Sequence, residues 1–375
     1  MFVDLKAYGF SPSDSIAAGE ICNSENSGEL LPGRITDCRR EQYRVICECG
    51  ELQAELKGSF YFGLREGEGM PVIGDFVVLL HNPSGPSLIT TILPRRSKFS
   101  RSDFLGHDEA YAKNVREQII AANFDYVFIL SSLNHDLNPK RLSRYLTASW
   151  QSGAFPVLVL TKADLVDTGL VDTDLGLNSI TAGARKIAGE VPVIAVSSKT
   201  GFGIGELSPF LENGKTIVLL GSSGVGKSSL LNRLAGEELM EVKAIREDDS
   251  RGRHTTTHRQ LFRLDSGALV IDTPGLRELG LWDSGEGMEH AFAGIEELLS
   301  QCRFSNCTHQ NEPGCAVLTA LEDGRLSIEQ WKNYQIQERE TAFVENHSAY
   351  LKQKQEFHRS IARMNRARGK GMDDL

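Results

Sequence analysis

Residues Gly221-Ser222-Ser223-Gly224-Val225-Gly226-Lys227-Ser228-Ser229 fit the pattern G-x-x-x-x-G-K-[ST] and follow an apolar run at 217–220. The pattern predicts strand, loop and helix in succession. A phosphate chain needs backbone N–H groups pointing inward, which Cβ-free residues permit, with a cation at Lys227 and a Mg²⁺-binding hydroxyl at Ser228. Leu230, Leu231 and Leu234 continue at helical spacing, as a helix opening on that loop requires.

Apolar runs before this loop, at 124–130, 156–160 and 192–196, alternate with helical patterns, the clearest over 142–150. That alternation predicts a parallel sheet with crossover helices, an α/β domain. Two of the strands lead straight into polar loops, Thr161-Lys162-Ala163-Asp164 and Ser197-Ser198-Lys199-Thr200-Gly201. Ligands of open α/β sheets bind at the carboxyl ends of strands, where both loops fall. The Asp164 carboxylate can accept from guanine N1–H and the exocyclic amine together, Lys162 can lie along the base, and the Ser198 N–H can reach O6. Adenine lacks those two donors, and a site built on such bonds rejects the wrong partner by about 10⁴–10⁵. Taken alone, T-K-x-D also fits an ordinary surface loop; beside a phosphate loop it reads as a base-reading element.

After the phosphate loop, residues 237–253 are highly charged and end before His254-Thr255-Thr256-Thr257-His258. A threonine hydroxyl there, Thr256 for instance, can complete the Mg²⁺ shell when a γ-phosphate is present. The next buried strand ends in Asp272-Thr273-Pro274-Gly275, where Asp272 can hold Mg²⁺ through water and the Gly275 N–H can sense the γ-phosphate.

Residues 1–28 carry no assignable function. From 33 to 93, five short alternating runs at 34–36, 43–47, 52–56, 76–80 and 88–93 predict a small closed barrel, OB-like in size. Cys47 and Cys49 fall on one strand face and read as a buried thiol pair. Residues 94–101 form a Pro-led basic connector, which fits either a solvated linker or a contact with RNA phosphates.

Near the C-terminus Cys302, Cys307, His309 and Cys315 make C-x4-C-x-H-x5-C. Three thiolates and one imidazole complete a tetrahedral set, and a closed set is structural. Helix follows, with Trp331, Tyr334 and Phe343 on an apolar stripe, and residues 351–370 then carry seven basic residues against one acid. A solvated tail and an RNA-facing helix both suit that composition. With seven cysteines, no basic-then-apolar leader and no apolar run near 18 residues, a cytoplasmic protein without membrane contact is expected. The net charge of −9 argues against a chain basic all over but leaves room for a local basic patch.

The motifs resemble those of translation-factor-type GTPases, except that the base-reading pair precedes the phosphate loop: the order is circularly permuted. With a β-rich domain in front and a metal motif behind, residues 30–350 resemble the ribosome small-subunit-dependent GTPase A family. That resemblance implies GTP/GDP, Mg²⁺ and one structural Zn²⁺ as cofactors. It implies a monomer that binds the small (30S) ribosomal subunit and its 16S rRNA in the GTP state, acts late in maturation, and leaves after hydrolysis. Its domains would be 1–98 with the barrel at 30–95, a permuted GTPase domain at 99–299, and a mainly helical zinc domain at 300–375. Two residues depart from the pattern: Thr161 stands where such loops carry Asn, and Leu276 where Ras-like enzymes carry a water-orienting Gln. Hydrolysis is therefore expected to be slow without a partner, about 10⁻⁴–10⁻² s⁻¹, with His254 as the polar candidate near the water. An RNA-binding assembly module that uses GTP only as a conformational sensor remains the alternative, and the guanine-reading loops disfavour a metabolite kinase.

Overall fold

Turn residues punctuating β-branched runs give five strands in the N-terminal quarter: β1 (Leu30–Arg39), β2 (Gln42–Cys47), β3 (Gly50–Leu56), β4 (Phe76–Leu80) and β5 (Ser87–Ile92). The computed structural model describes residues 2–24, 29–39, 42–58, 60, 69–103, 116–133, 138–165, 173–240, 259–272, 288, 290–328 and 330–339. The five strands run β1-β2-β3-β5-β4 and close where β4 pairs with β1; β3 and β5 are parallel and every other pair is antiparallel. Closure leaves the barrel without free edges, and Ile35, Val45, Val77, Leu79 and Ile89 fill it. A 3₁₀ turn (Leu5–Tyr8) and helix α1 (Pro12–Ser24) precede it.

The connector reading of 94–101 needs correction. Lys98 begins a strand, β6 (Lys98–Asp103), paired antiparallel with β7 (Arg116–Ala122). Arg95 is held bidentately by Asp75, with both N–O distances 2.7 Å, and Arg96 donates to the Gly9 carbonyl at 2.9 Å. The Arg95 charge is thus paired inside the protein, whereas the Arg96 side chain stays partly exposed. Cys49 also leaves the predicted face: β2 ends at Cys47, which is buried, and the turn that follows exposes Cys49.

The α/β domain comprises β8 (Tyr126–Ser132), α2 (Pro139–Gln151), β9 (Phe155–Thr161), α3 (Thr173–Ala188), β10 (Val193–Ala195), β11 (Thr216–Gly221), α4 (Lys227–Ala235), β12 (Arg259–Arg263) and β13 (Leu269–Asp272). Helix α2 starts where Asn138 caps the Arg141 N–H and Pro139 occupies the first turn, and it buries Leu142, Tyr145 and Leu146. In space the order is β10-β9-β8-β11-β13-β12, with β12 alone antiparallel. Fully buried runs such as 157–160 and 217–220 show that both faces are covered. Strand β11 lies between β8, which precedes it in sequence, and β13, which follows it. The crevice at their carboxyl ends is therefore a switch point. At the far edge β12 pairs with β1, so barrel and α/β sheet form one continuous eleven-stranded sheet.

Helix α5 (Ala293–Ser300), a cysteine-bearing loop, α6 (Ala316–Glu322) and a helix within 328–339 make a third unit around Ile295, Cys315, Val317, Trp331 and Tyr334. It meets the α/β domain through polar contacts, Thr147 Oγ1 donating to Gln337 Oε1 at 2.9 Å and Gln330 Nε2 to the Lys186 carbonyl at 3.2 Å. Among the described residues no helix is long and apolar enough to cross a membrane.

Candidate active site and metal centre

Strand β11 delivers residues 221–226 to the switch point as a loop, and α4 starts at Lys227. Two glycines are dictated by this geometry. A Cβ on Gly221 would meet the Leu130 carbonyl oxygen at 2.7 Å, and Gly226 sits at φ 107°, a region L side chains avoid. No side chain caps α4, so the first-turn N–H groups face the crevice with the positive end of the helix dipole. The Lys227 ammonium donates to the carbonyls of Gly221 (2.6 Å) and Ser222 (2.7 Å), and so lies across the loop. Ser228 and Ser229 follow in the same turn. Asp272 ends the neighbouring strand β13; burial pushes its carboxyl pKa up, and the nearby Lys227 charge pulls it back in part.

The base-reading loops are brought to the same edge. Thr161 is buried, and its hydroxyl donates to the Val225 carbonyl at 2.5 Å. Lys162 adopts φ 59°, a left-handed conformation uncommon for a residue with a side chain. The Ala163 N–H donates to the Val196 carbonyl at 3.1 Å, locking one loop against the other. Ser197 is fully buried and its hydroxyl donates to Asp164 Oδ1 at 2.7 Å, which fixes the carboxylate's rotamer. Ser198 and Lys199 line a cavity of about 740 Å³ together with Ser229, Asn232, Arg233, Gly236, Glu237 and Glu238. Neither Asp164 nor the residues of 221–227 line that cavity, so it flanks the base and phosphate loops on the outer side of α4 and is not itself their cleft.

Two contacts around the site carry no signature in the sequence. Ser197 is visible only as part of a loop, and nothing in the residue order marks it as the carboxylate's partner. Asn232 donates from Nδ2 to the Met240 carbonyl at 2.7 Å and accepts at Oδ1 from the Met240 N–H at 2.8 Å, pinning the chain at the end of this helix; an isolated Asn has no motif to announce it. His254, Thr256 and Gly275 lie outside the described residues.

In the third unit the ligand atoms of Cys302, Cys307, His309 and Cys315 all lie within 4.8 Å of one another. His309 Nδ1 is 3.6 Å from the Cys302 sulfur and 3.5 Å from that of Cys315, and those two sulfurs are 4.0 Å apart. Zn–S bonds of about 2.3 Å in a tetrahedron require edges of about 3.8 Å, so the cluster fits zinc. Cys315 also caps α6, and His309 takes φ 58° to turn its ring inward beside Trp331. The Glu312 carboxylate collects the N–H groups of Thr308 (2.8 Å), Gln310 (3.0 Å) and Asn311 (3.1 Å), and the Thr308 hydroxyl as well. Those bonds hold its pKa down at about 2.

A P-loop at the switch point of a parallel sheet, with its partner loops arriving earlier in the chain, defines a circularly permuted GTPase. A family model described as RsgA GTPase matches residues 92–282, which contain both sets of loops. An ABC transporter model matches 205–373, a span that includes the phosphate loop but not the loop at 161–164. The chain is 45% identical over 311 residues to Small ribosomal subunit biogenesis GTPase RsgA 1 of Listeria innocua serovar 6a, covering 83% of this chain and 84% of that protein. It is 42% identical over 353 residues to RsgA 2 of Lactiplantibacillus plantarum, covering 94% of each. Among solved structures it is similar to YjeQ from Thermotoga maritima, with TM-score 0.61, 27% identity, and coverage of 84% of this chain and 99% of that one. The chain belongs to the RsgA GTPase family. It is a GTP-hydrolysing enzyme with GTP/GDP and Mg²⁺ as its nucleotide and ion, and its Cys₃His cluster is consistent with one structural zinc.

Proposed function

We propose that this GTPase acts in maturation of the small ribosomal subunit, binding the 30S particle and its 16S rRNA in the GTP state and leaving after hydrolysis. The observation that supports the chemistry most is the Thr161–Val225 bond, which makes one cleft of two loops far apart in sequence. The particle is suggested by the names of the relatives. In this reading Thr161, Lys162, Ala163 and Asp164, with Ser197, Ser198 and Lys199, take the guanine. The loop from Gly221 to Ser229 cradles the phosphates, Lys227 neutralises β/γ charge, and Ser228 and Asp272 hold Mg²⁺, directly and through water. Thr256, Gly275 and His254 would complete the γ-phosphate side, and the zinc domain would present the basic C-terminal stretch to RNA. The three-part division at 98/99 and 299/300, a monomeric state and a cytoplasmic location belong to the same reading.

GTP turnover measured with and without purified small subunits tests it. Acceleration by small but not large subunits is the expected result. Tight GTP-dependent docking without acceleration would instead favour an assembly module that uses GTP as a sensor.

A further inference from the structure

One barrel strand is attached to the GTPase sheet at two separate points. Towards its C-terminal end β1 pairs with β12, Asp37 opposite Gln260, and Gln260 in turn stands opposite Asp272. Asp37 is thus two strands, about 10 Å at ordinary sheet spacing, from the carboxylate assigned to Mg²⁺. It is buried, with one carboxylate oxygen bonded to Arg39 at 2.9 Å and the other without a hydrogen-bond partner among the described residues.

The second attachment is Arg34, a fully buried arginine. Its Nη1 donates to the Tyr8 carbonyl (2.6 Å) and to Thr216 Oγ1 (2.9 Å), its Nη2 to the Asn123 carbonyl (2.6 Å), and its Nε to the Gly74 carbonyl (3.2 Å). Its guanidinium also lies 4.9 Å from the centre of the Phe76 ring. One planar fork therefore ties together the N-terminal turn, the barrel, the chain entering β8, and the first residue of β11, whose other end is Gly221. All four acceptors are uncharged, and burial lowers the Arg34 pKa to about 9. A cation taken from water with no carboxylate bonded to it is a costly way to join two domains. Its neighbours are shaped around it: Asn123 takes φ 57° and donates from Nδ2 to the Gly74 carbonyl at 3.2 Å. A Cβ on Gly74 would strike the Ala122 carbonyl oxygen at 2.2 Å.

We propose that Arg34 is a positioning residue which, with the Asp37–Gln260–Asp272 rung, couples the barrel to the nucleotide, so that ligand bound in the GTPase crevice stabilises the barrel. The proposal rests on the nucleotide-site reading above and not on the ribosomal one. A ligand transmits only the free energy by which its contacts differ between states, and packed, hydrogen-bonded elements are one carrier of that coupling. Here the carriers are a backbone ladder at one point and four guanidinium bonds at the other.

Amide exchange of the full chain, with and without Mg²⁺ and a non-hydrolysable GTP analogue, tests the coupling. In the parent, ladder amides of the barrel such as Val45 and Val77 should exchange about fivefold more slowly with nucleotide, the low end of ordinary coupling. Thr216→Val removes one acceptor while Nη1 keeps its bond to Tyr8, and Arg34→Lys replaces the fork by a single ammonium. Both variants should cut that nucleotide-linked protection to about twofold or less, while amides of 221–235 keep theirs. A merely structural role would speed barrel exchange equally with and without nucleotide. If Arg34→Lys does not fold, Thr216→Val carries the test alone. Nucleotide protection at 221–235 without any in the parent barrel, or barrel protection that survives in every folded variant, overturns the coupling and leaves the site reading standing. No nucleotide protection at 221–235 overturns both.

Discussion

The Thr161 hydroxyl donates to the Val225 carbonyl at 2.5 Å, joining the base-reading loop to the phosphate loop across 64 positions of sequence. Where related loops carry an Asn amide, a hydroxyl makes the tie. Thr161→Val keeps the shape and leaves a buried carbonyl unpaired, a loss of about 1–3 kcal/mol. GDP affinity should fall by about five- to 150-fold on that basis, with the preference for guanine over adenine unchanged. Titration with a fluorescent GDP and competing ADP reads both quantities.

Lys227 spans the phosphate loop from inside, holding the carbonyls of Gly221 and Ser222. Removing a preorganised charge-stabilising donor typically costs about 10²–10³ in kcat. Lys227→Ala should show that loss in single-turnover GTP hydrolysis, with the melting temperature close to the parent's. Unchanged turnover would exclude this loop as the catalytic one.

Burial raises the Asp272 pKa above the ordinary aspartate value, with Lys227 opposing. The folded-state pKa therefore exceeds the unfolded one, so the ionised carboxylate disfavours the fold at neutral pH, and that penalty is relieved as pH falls through the raised value. Asp272→Asn should accordingly match or exceed the parent in thermal stability at pH 7 without nucleotide, while losing Mg²⁺-dependent hydrolysis. In the parent, Mg²⁺ dependence should weaken on acidification at a pH above that of an exposed aspartate. A variant less stable than the parent at neutral pH would contradict the burial account.

The elements written in local periodicity were legible: the five barrel strands and the strand ending at Asp272 fall where alternation and apolar runs put them. So was the whole Cys302–Cys315 ligand set, because its spacing is short and its chemistry specific. What stayed hidden depends on contacts between distant segments. Arg34 looks like an ordinary strand arginine until Tyr8, Gly74, Asn123 and Thr216 converge on it, and Lys98 looks like linker until β7 pairs with it. Ser197 belongs to the same class, since its bond to Asp164 crosses between two strand ends.

The zinc cluster should hold its unit together, because apparent binding energies of about 10–16 kcal/mol rival the stability of a whole small domain. One zinc per chain is expected on metal analysis, and Cys307→Ser should lose it together with protease resistance of 290–339. Glu312→Gln leaves all four ligands in place but replaces the acceptor that gathers the loop's N–H groups. Zinc release to a chelator should then be about tenfold faster, as for other supporting contacts around a metal. Zinc well below one per chain in the parent would contradict this.

In the proposed site, guanine selectivity rests on Asp164, whose carboxylate is oriented by the Ser197 hydroxyl at 2.7 Å. Asp164→Asn presents an amide donor where the carboxylate accepted, which suits the C2 carbonyl of xanthine and not the amine of guanine. The decisive measurement is the ratio of kcat/KM for GTP and XTP in parent and variant. The ratio should favour GTP in the parent and move to XTP in Asp164→Asn, towards the scale of about 10⁴–10⁵ that unpaired polar groups impose. A variant that still selects GTP as strongly as the parent would contradict the assignment of this cleft.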